Sequence, residues 1–236
     1  MKTLIRLPWL MVCLPFLVAC DKQTTESKVL CLPVQFVPAR ADTAVIERGI
    51  DAVPESDAIQ LQWQRQSDLS EYRLYRKSRE EESFQNLAIL SERDSLYLDS
   101  QNLRLNTRYY YTIIGGNSAG WVTPPSDTVD YLLLPKVVNL AQAILRDTLH
   151  FHWQPAPQSL PESYLLKLFD DVSGRLLWLS TVPSYQAVEE DVRYNWDGLA
   201  RRPKLSSAGK YRWRVDAIGS EARSGSESNW QKFTLP

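Results

Sequence analysis

Two stretches of this chain repeat one order of motifs, and the distance between the copies limits the fold more than any other feature. The segment 59–63 (Ile-Gln-Leu-Gln-Trp) returns at 149–153 (Leu-His-Phe-His-Trp), about 90 residues later. In both copies apolar residues alternate with polar ones, which is typical of a β-strand that buries one face. A unit of this length matches a small β-sandwich and is far longer than the repeat of a solenoid, about 20–50 residues.

The order of motifs continues beyond the first strand of each copy. A strand led by Tyr follows at 72–76 and again at 164–168. Later in each copy a Leu precedes a Tyr by six positions, with turn residues between them, and the Tyr opens another alternating strand. Long stretches with helical spacing of apolar residues are missing. The pattern therefore predicts an all-β chain made of two similar units.

Four aromatic residues carry a resemblance to the fibronectin type III family. Trp63 and Trp153 match the Trp of the second strand, and Tyr109 and Tyr211 match the Tyr that follows a Leu by six positions. In that family this Tyr forms the tyrosine corner, whose hydroxyl bonds back to the chain. The resemblance implies an all-β fold of two tandem immunoglobulin-like (fibronectin type III-like) β-sandwiches, in which these four residues are structural.

The resemblance also sets the domain boundaries. We expect the first domain at 44–134 and the second at 135–236. Almost no linker is left near Leu134-Pro135, so the domains should stack with limited swing. The interval from Trp to Tyr is longer in the second copy, and we place the extra residues within 182–204. Trp196 is expected to be an inward residue of the fifth strand of that domain.

The first residues resemble the export signal of a bacterial lipoprotein. A basic start is followed by an uncharged apolar stretch that ends at Leu17-Val18-Ala19-Cys20. In lipoproteins the matching Cys is acylated and the peptide before it is removed. The resemblance implies a signal peptide at 1–19, and Cys20 as the lipidation site at the start of a tether at 20–43. An ordinary cleaved signal with a chance Cys, or an uncleaved anchor, are the alternatives.

These features predict a location in the bacterial cell envelope, with contact to the membrane through the lipid anchor. The outer membrane is favoured over the inner one, although Asp21 matches an inner-membrane retention signal of some enteric bacteria. The net charge of −1 gives no broad attraction for nucleic acid, so we expect no nucleic-acid partner. Cys31 would be the one remaining thiol, which excludes an internal disulfide; we interpret it as a small apolar residue.

Residue types suited to catalysis are present, but their arrangement argues against an enzyme. The histidines, His150 and His152, share the solvent face of a strand and lack further ligands in the sequence, so we expect neither a metal nor another cofactor. The acidic runs 80–82, 170–171 and 189–191 are interpreted as solvated loop tips. The sequence has no nucleophile elbow and no phosphate-binding loop.

A binding role remains, and two kinds of ligand are open. The leading prediction is a non-catalytic protein-binding scaffold or spacer whose partner is another envelope protein; the alternative is a glycan-binding accessory module. An exposed row of aromatic side chains would favour glycan, and a broad apolar patch with a polar rim would favour protein. Trp121, Trp178, Trp196 and Trp230 are less clearly assigned to core or surface than the other tryptophans. The candidate binding residues, all in the extra segment, are Tyr185, Trp196, Arg201, Arg202 and Lys204. A harmless elaborated loop is the competing interpretation.

Overall fold

The computed structural model describes residues 32–46, 48–159, 161–185 and 188–236. All regular elements in these ranges are β-strands, which confirms the all-β fold class. Nothing in the described ranges is a helix with the length and apolarity needed to cross a bilayer. The predicted signal peptide, Cys20 and Cys31 lie outside the described residues.

The strands form two β-sandwiches that use the same order of elements. The first contains β1 (Asp51–Ala52), β2 (Ile59–Gln62), β3 (Glu71–Ser78), β4 (Gln85–Ser91), β5 (Leu96–Asp99), β6 (Thr107–Gly116) and β7 (Val129–Leu133). The second contains β8 (Val138–Leu145), β9 (Thr148–Gln154), β10 (Ser163–Asp170), β11 (Leu176–Pro183), β12 (Glu190–Arg193), β13 (Lys210–Ile218), β14 (Ser224–Glu227) and β15 (Gln231–Thr234).

Each sandwich pairs a three-stranded sheet with a larger one. The small sheets have the orders β1-β2-β5 and β12-β9-β8, so the first, second and fifth strands of each copy lie together. The remaining strands of both copies join in one nine-stranded sheet, β11-β10-β13-β14-β7-β6-β3-β4, with β15 paired to β13. The repeat in the sequence is therefore a repeat of topology.

The aromatic residues of the repeated motifs lie inside the sandwiches. Trp63 packs edge-on against Tyr72 in the first core, and Trp153 packs edge-on against Tyr164 in the second. All four side chains are buried. Because side chains alternate between the two faces of a strand, these large side chains point to the interior. Burying each one contributes roughly 2–3 kcal/mol to the stability of the fold. Trp178, whose place the sequence left open, belongs to the second core.

The two corner tyrosines hydrogen-bond to the chain just before their strands. The Tyr109 hydroxyl accepts the backbone N–H of Arg104 at 2.6 Å. The Tyr211 hydroxyl accepts the N–H of Ser206 at 2.9 Å and donates to the carbonyl of the same residue at 3.1 Å. Both rings are buried, so each hydroxyl fixes the chain where it crosses from one sheet to the other.

The first sandwich begins earlier than the predicted start at residue 44. Val34 is buried in its core, and Phe36 forms a β-bridge with Trp63. The Val37 N–H donates to the carbonyl of Gln62 at 2.9 Å. The part of the predicted tether from 33 to 37 is thus part of the folded domain, because its alternating apolar residues complete the small sheet.

The two sandwiches are joined by backbone pairing. β7 and β14 run parallel, with N–H donation from Leu132 to the Arg223 carbonyl at 2.9 Å and from Leu134 to the Gly225 carbonyl at 3.0 Å. Gly225 suits this crowded position, because a Cβ there would lie 2.7 Å from the Ala217 carbonyl oxygen on β13 and 3.2 Å from the Tyr131 hydroxyl on β7. The result is one sheet that runs through both units.

Polar side chains fasten the same junction. The Lys136 ammonium donates to the carbonyls of Val53 and Glu227, each at 2.6 Å. Asp130 of the first sandwich pairs with Arg108 and also with Arg223 of the second. These contacts cross the boundary in addition to the backbone pairing and restrict rotation of one sandwich against the other.

Candidate functional site

The extra residues of the second sandwich lie mainly in one connection. The chain between β12 and β13 runs from 194 to 209, whereas the matching connection of the first sandwich runs from 100 to 106. Backbone hydrogen bonds hold the connection to the sandwich, since the Tyr194 N–H donates to the Leu149 carbonyl and the Arg201 N–H to the Leu177 carbonyl, each at 2.8 Å. Within the connection, the hydroxyl of the buried Tyr194 donates to the Arg202 carbonyl at 2.7 Å. The insertion is therefore a structured surface.

Trp196 does not occupy the position that the sequence predicted. β12 ends at Arg193, and Trp196 follows in the turn with 46% of its surface exposed. Its indole N–H donates to the Ser180 hydroxyl at 3.1 Å, so the ring lies across the edge of β11. The prediction of an inward residue on the fifth strand was wrong, because that strand ends earlier and Val192 takes the inward position.

A network of side-chain hydrogen bonds fixes the turn that carries Trp196. Asp197 accepts the Trp178 indole N–H at 2.9 Å and the Ser180 hydroxyl at 2.6 Å. Ser180 is buried, and it links Asp197 to Trp196 because it accepts from one and donates to the other. An exposed aromatic ring is thus held in place by a network that begins in the core.

A cavity of about 390 Å³ opens beside this ring. It lies between the edge of β11 in the large sheet and the edge of β12 in the small sheet. The loop that joins these two strands contributes Tyr185, which is 72% exposed. The residues that line the cavity are Val182, Pro183, Tyr185, Glu190, Asp191, Val192, Arg193 and Trp196.

Glu190 is the buried charged residue of this cavity, with only 4% of its surface exposed. Its Oε1 accepts the backbone N–H of Tyr185 at 3.3 Å. Burial raises the pKa of the Glu190 carboxyl, and the hydrogen bond from Tyr185 opposes that rise. The interpretation of 189–191 as a solvated loop tip was therefore wrong at Glu190, which begins β12 and faces inward.

Two further exposed apolar side chains lie on the connections that carry Tyr185 and Trp196. Val188 precedes β12 and Leu199 follows Trp196, and both are largely exposed. Together with Tyr185 and Trp196 they present four large apolar side chains close in sequence to one cavity. We call these four residues the aromatic patch.

The other candidate binding residues lie elsewhere. Lys204 lines a second cavity of about 290 Å³, together with Ile144 and Leu235. Arg201 and Arg202 line neither cavity, and their backbone groups serve to tether the connection. The structure thus brings Tyr185 and Trp196 together and separates them from the basic residues.

The histidine pair lies on the outer face of β9, next to β12. His150 and His152 stack at 6.2 Å between ring centroids, and His150 Nδ1 lies 2.8 Å from Asp191 Oδ1. The acid that the sequence did not place is therefore Asp191, which is opposite His152 in the strand register. In the described ranges, no three His, Cys, Asp or Glu side chains are grouped so that they could hold a metal ion.

The remaining unassigned tryptophans have different surroundings. Trp230 is half-buried and lies over the guanidinium groups of Arg212 and Arg214, each 4.8 Å from its ring centroid. Trp121 is also half-buried and lies in the loop after β6. Of the four, Trp196 is the most exposed and is the one that lines the cavity.

Sequence reasoning missed Glu190, Arg193 and Val182 as cavity residues. A signal for Glu190 was present, since it shares its strand parity with Val192 and so takes the buried face. Nothing in the local sequence indicated that the edges of β11 and β12 would lie side by side. That proximity arises from the packing of two different sheets.

No protein-family model matches this chain, and no curated protein matches it significantly. Two solved structures that resemble it come from chicken proteins. The FN1–FN3 domains of chicken CNTN1 share 14% identity over 89% of this chain and 68% of that chain, with a TM-score of 0.37. A two-domain segment of chicken tenascin shares 14% identity over 86% of this chain and 98% of that chain, with a TM-score of 0.35. Both are tandem arrays of fibronectin type III domains.

Proposed function

We propose that this protein is a non-catalytic scaffold of the bacterial cell envelope, anchored by lipid at Cys20, that binds another envelope protein. The aromatic patch of the second sandwich carries the proposal. Exposed aromatic and aliphatic side chains beside a cavity are a common anchor point for a protein partner. Loops on a rigid scaffold are also where binding residues gather.

The arrangement around the aromatic patch favours a protein over a glycan. Trp196 and Tyr185 are accompanied by the aliphatic side chains of Val188 and Leu199, which give apolar area with no hydrogen-bonding groups. Charged side chains such as Asp191 and Arg193 lie at its border. An apolar centre with a polar rim is the anatomy of a protein interface.

The joined sandwiches support the scaffold part of the proposal. Backbone pairing between β7 and β14 and the ion pairs of Asp130 join the two units into a single body. A partner held on the second sandwich would thus keep a set position relative to the first sandwich. The proposed binding role of the fold and the aromatic patch does not require a catalytic group.

Photo-crosslinking in living cells tests the binding surface. A photoreactive amino acid at Tyr185 should give a crosslinked species of higher mass, because this side chain projects from the patch. The same group placed at Ile89, an exposed residue on β4 of the first sandwich, is the matched control and should give none. Crosslinking should fall at least about tenfold with Trp196→Ala, in line with the loss of an aromatic anchor.

Equal crosslinking at Tyr185 and Ile89, or a species that Trp196→Ala leaves unchanged, would contradict the proposal. Binding of purified protein to cell-surface polysaccharides that Trp196→Ala abolishes, with no protein crosslink, would instead support the glycan-binding alternative. The fold of the variant is checked by its unfolding midpoint, since Trp196 also bonds to Ser180.

The lipid anchor has its own experiment. Cys20→Ser, expressed with its signal intact, should release the protein from membranes or leave it unprocessed, because the thiol that carries the acyl chain is gone. Fractionation and intact mass spectrometry provide the readout. A variant that fractionates like the wild type and loses no lipid mass would contradict the lipoprotein assignment.

A further inference from the structure

We propose that the cavity beside Trp196 binds the guanidinium group of an arginine side chain supplied by the protein partner. This inference rests on the proposed protein-binding function and names the chemistry that the partner brings to the cavity. Three features of the described residues lead to it: a buried carboxylate, two aromatic side chains at one opening, and the balance of charge around them.

The buried carboxylate of Glu190 has no cationic partner in the described chain. The interactions that act on it are burial and the hydrogen bond from the Tyr185 N–H, and no Lys or Arg of the described ranges contributes. Burying a carboxylate costs free energy unless a cation or several hydrogen bonds compensate. An arriving cation would supply the compensation that the folded chain lacks.

The aromatic residues suit a planar cation in particular. Trp196 and Tyr185 line the same cavity as Glu190, and both are exposed enough to contact a ligand. Trp and Tyr rings attract cations placed over their faces, and guanidinium stacks on such rings while its N–H groups bond to a carboxylate. A lysine ammonium is more strongly hydrated and cannot stack, so arginine is the better match.

The other charged groups of the cavity do not reverse this preference. Asp191 adds a second carboxylate, which already lies 2.8 Å from His150 Nδ1. Arg193 is the one cation among the lining residues. Arg193 is exposed, so water weakens its repulsion of an arriving cation. Glu190 is buried, so its charge has lost hydration that an arriving cation would replace.

A pair of small probes tests the charge requirement. Nα-acetyl-arginine methylamide and its neutral isostere Nα-acetyl-citrulline methylamide are titrated into the full-length protein in detergent, and ¹⁵N-¹H spectra are recorded. The arginine probe should shift the Trp196 indole and Tyr185 amide resonances in a saturable way. The citrulline probe, of the same shape, should bind at least about tenfold more weakly, because it lacks the charge.

Variants distinguish the effect of the Glu190 carboxylate from the effect of the negative charge of the surrounding region. Glu190→Gln keeps the size of the side chain and should weaken the arginine probe at least about tenfold. Glu189→Gln removes an exposed charge one residue earlier and is the matched control, with affinity changed by less than about threefold. Tyr185→Ala removes an aromatic side chain at an exposed position and should also weaken the probe.

The outcomes distinguish this inference from the function on which it rests. Equal binding of the two probes, or an unchanged affinity in Glu190→Gln, would overturn the arginine site. If the arginine probe causes no shift while Tyr185 still crosslinks to a protein in cells, the cavity does not bind an arginine side chain, but the protein-binding function stands. If probe and crosslink are both absent, both proposals fail.

Discussion

Two buried acids of this protein, Asp99 and Glu190, have different surroundings. Asp99 is fully buried in the first sandwich, yet it accepts from the Arg76 guanidinium at 2.8 Å and from the Tyr111 hydroxyl at 2.8 Å. Glu190 in the second sandwich has one hydrogen bond from a backbone N–H. The contrast between two buried acids separates a structural residue from a candidate for binding.

The corner tyrosines provide a first prediction at this scale. Tyr109→Phe and Tyr211→Phe should each lower the free energy of unfolding by about 1 kcal/mol, because the backbone N–H of Arg104 or Ser206 loses its acceptor. Denaturant unfolding measures this loss. Tyr185→Phe, at an exposed ring, is the control and should change stability by less than about 0.5 kcal/mol. Unchanged midpoints for both corner variants would count against their structural role.

Glu190 provides a second prediction, which concerns pH. Because burial raises its pKa above the ordinary 4.5, the folded protein keeps this proton to higher pH than the unfolded chain does. Stability is therefore lost as the pH rises through the interval from 4.5 to the raised pKa, and stays reduced above it. Glu190→Gln should thus raise the urea midpoint at neutral pH.

The advantage of Glu190→Gln should shrink as the pH falls below 4.5, where the wild-type carboxyl is protonated in both states. Neighbouring groups are common to both proteins: the Tyr164 hydroxyl, whose pKa burial also raises, stays neutral throughout. Urea titrations at neutral and acidic pH are compared for the two proteins. A variant less stable than the wild type at neutral pH would show that Glu190 is structural.

Among the elements, β13 has a second face that is charged and still buried. Trp213 and Val215 point into the core, whereas Arg214 and Asp216 point to the other side and are covered as well. Asp216 lies 2.7 Å from the Lys167 ammonium on β10. Trp230 covers part of this second face, since its ring lies over the guanidinium groups of Arg212 and Arg214.

Arg214 provides the prediction for this element. Its guanidinium lies 2.9 Å from Asp216 and 2.7 Å from Glu227, and Trp230 stacks over it. Arg214→Ala should destabilise the protein by about 3–5 kcal/mol, since two buried carboxylates lose a counter-charge. Arg73→Ala, which breaks the more exposed ion pair with Glu71, is the control and should cost less than about 1 kcal/mol.

Chemical denaturation of both variants measures the difference. A loss for Arg214→Ala no larger than that for Arg73→Ala would mean that water reaches the charges of β13 in solution. The predicted large loss would show that the charged face of β13 stays shielded from water beneath Trp230.

At the scale of the whole molecule, the junction determines how the two sandwiches move. Asp130 joins Arg108 of its own sandwich to Arg223 of the other, and the side chain of Arg108 is only 11% exposed. Asp42, near the start of the first sandwich, also meets the backbone of Arg223 and Ser224, and its burial there raises its pKa. Residues from the first and the last segments of the first sandwich, Asp42 and Asp130, thus both contact the chain at Arg223, just before β14.

We expect the two sandwiches to tumble as one body in solution. Rotational correlation times from ¹⁵N relaxation should agree between them within about 10%, since backbone hydrogen bonds and ion pairs cross the junction. Asp130→Ala should loosen the junction, so the two values diverge, whereas Asp127→Ala, an exposed acid just before β7, should leave them equal. Different correlation times in the wild-type protein would contradict the rigid junction.

Strand pattern and fold class were predictable from the sequence because they depend on local periodicity. Alternation around Trp63 and Trp153 requires one buried face, and the repeat of motifs requires two similar units. The tyrosine hydrogen bonds also follow from short-range geometry, since Tyr109 and Tyr211 bond to residues only a few positions earlier.

The candidate site depends on tertiary structure, because its residues come from the edges of two different sheets. The sequence by itself determined the all-β fold and the two similar units, whereas the extra residues, predicted within 182–204, lie mainly in the connection 194–209. Only the packing of β11 beside β12 placed Tyr185, Trp196 and the buried Glu190 at one cavity and left Lys204 at another. Likewise, only the folded chain joined β7 to β14, since parallel pairing between distant strands leaves no local signal in either one.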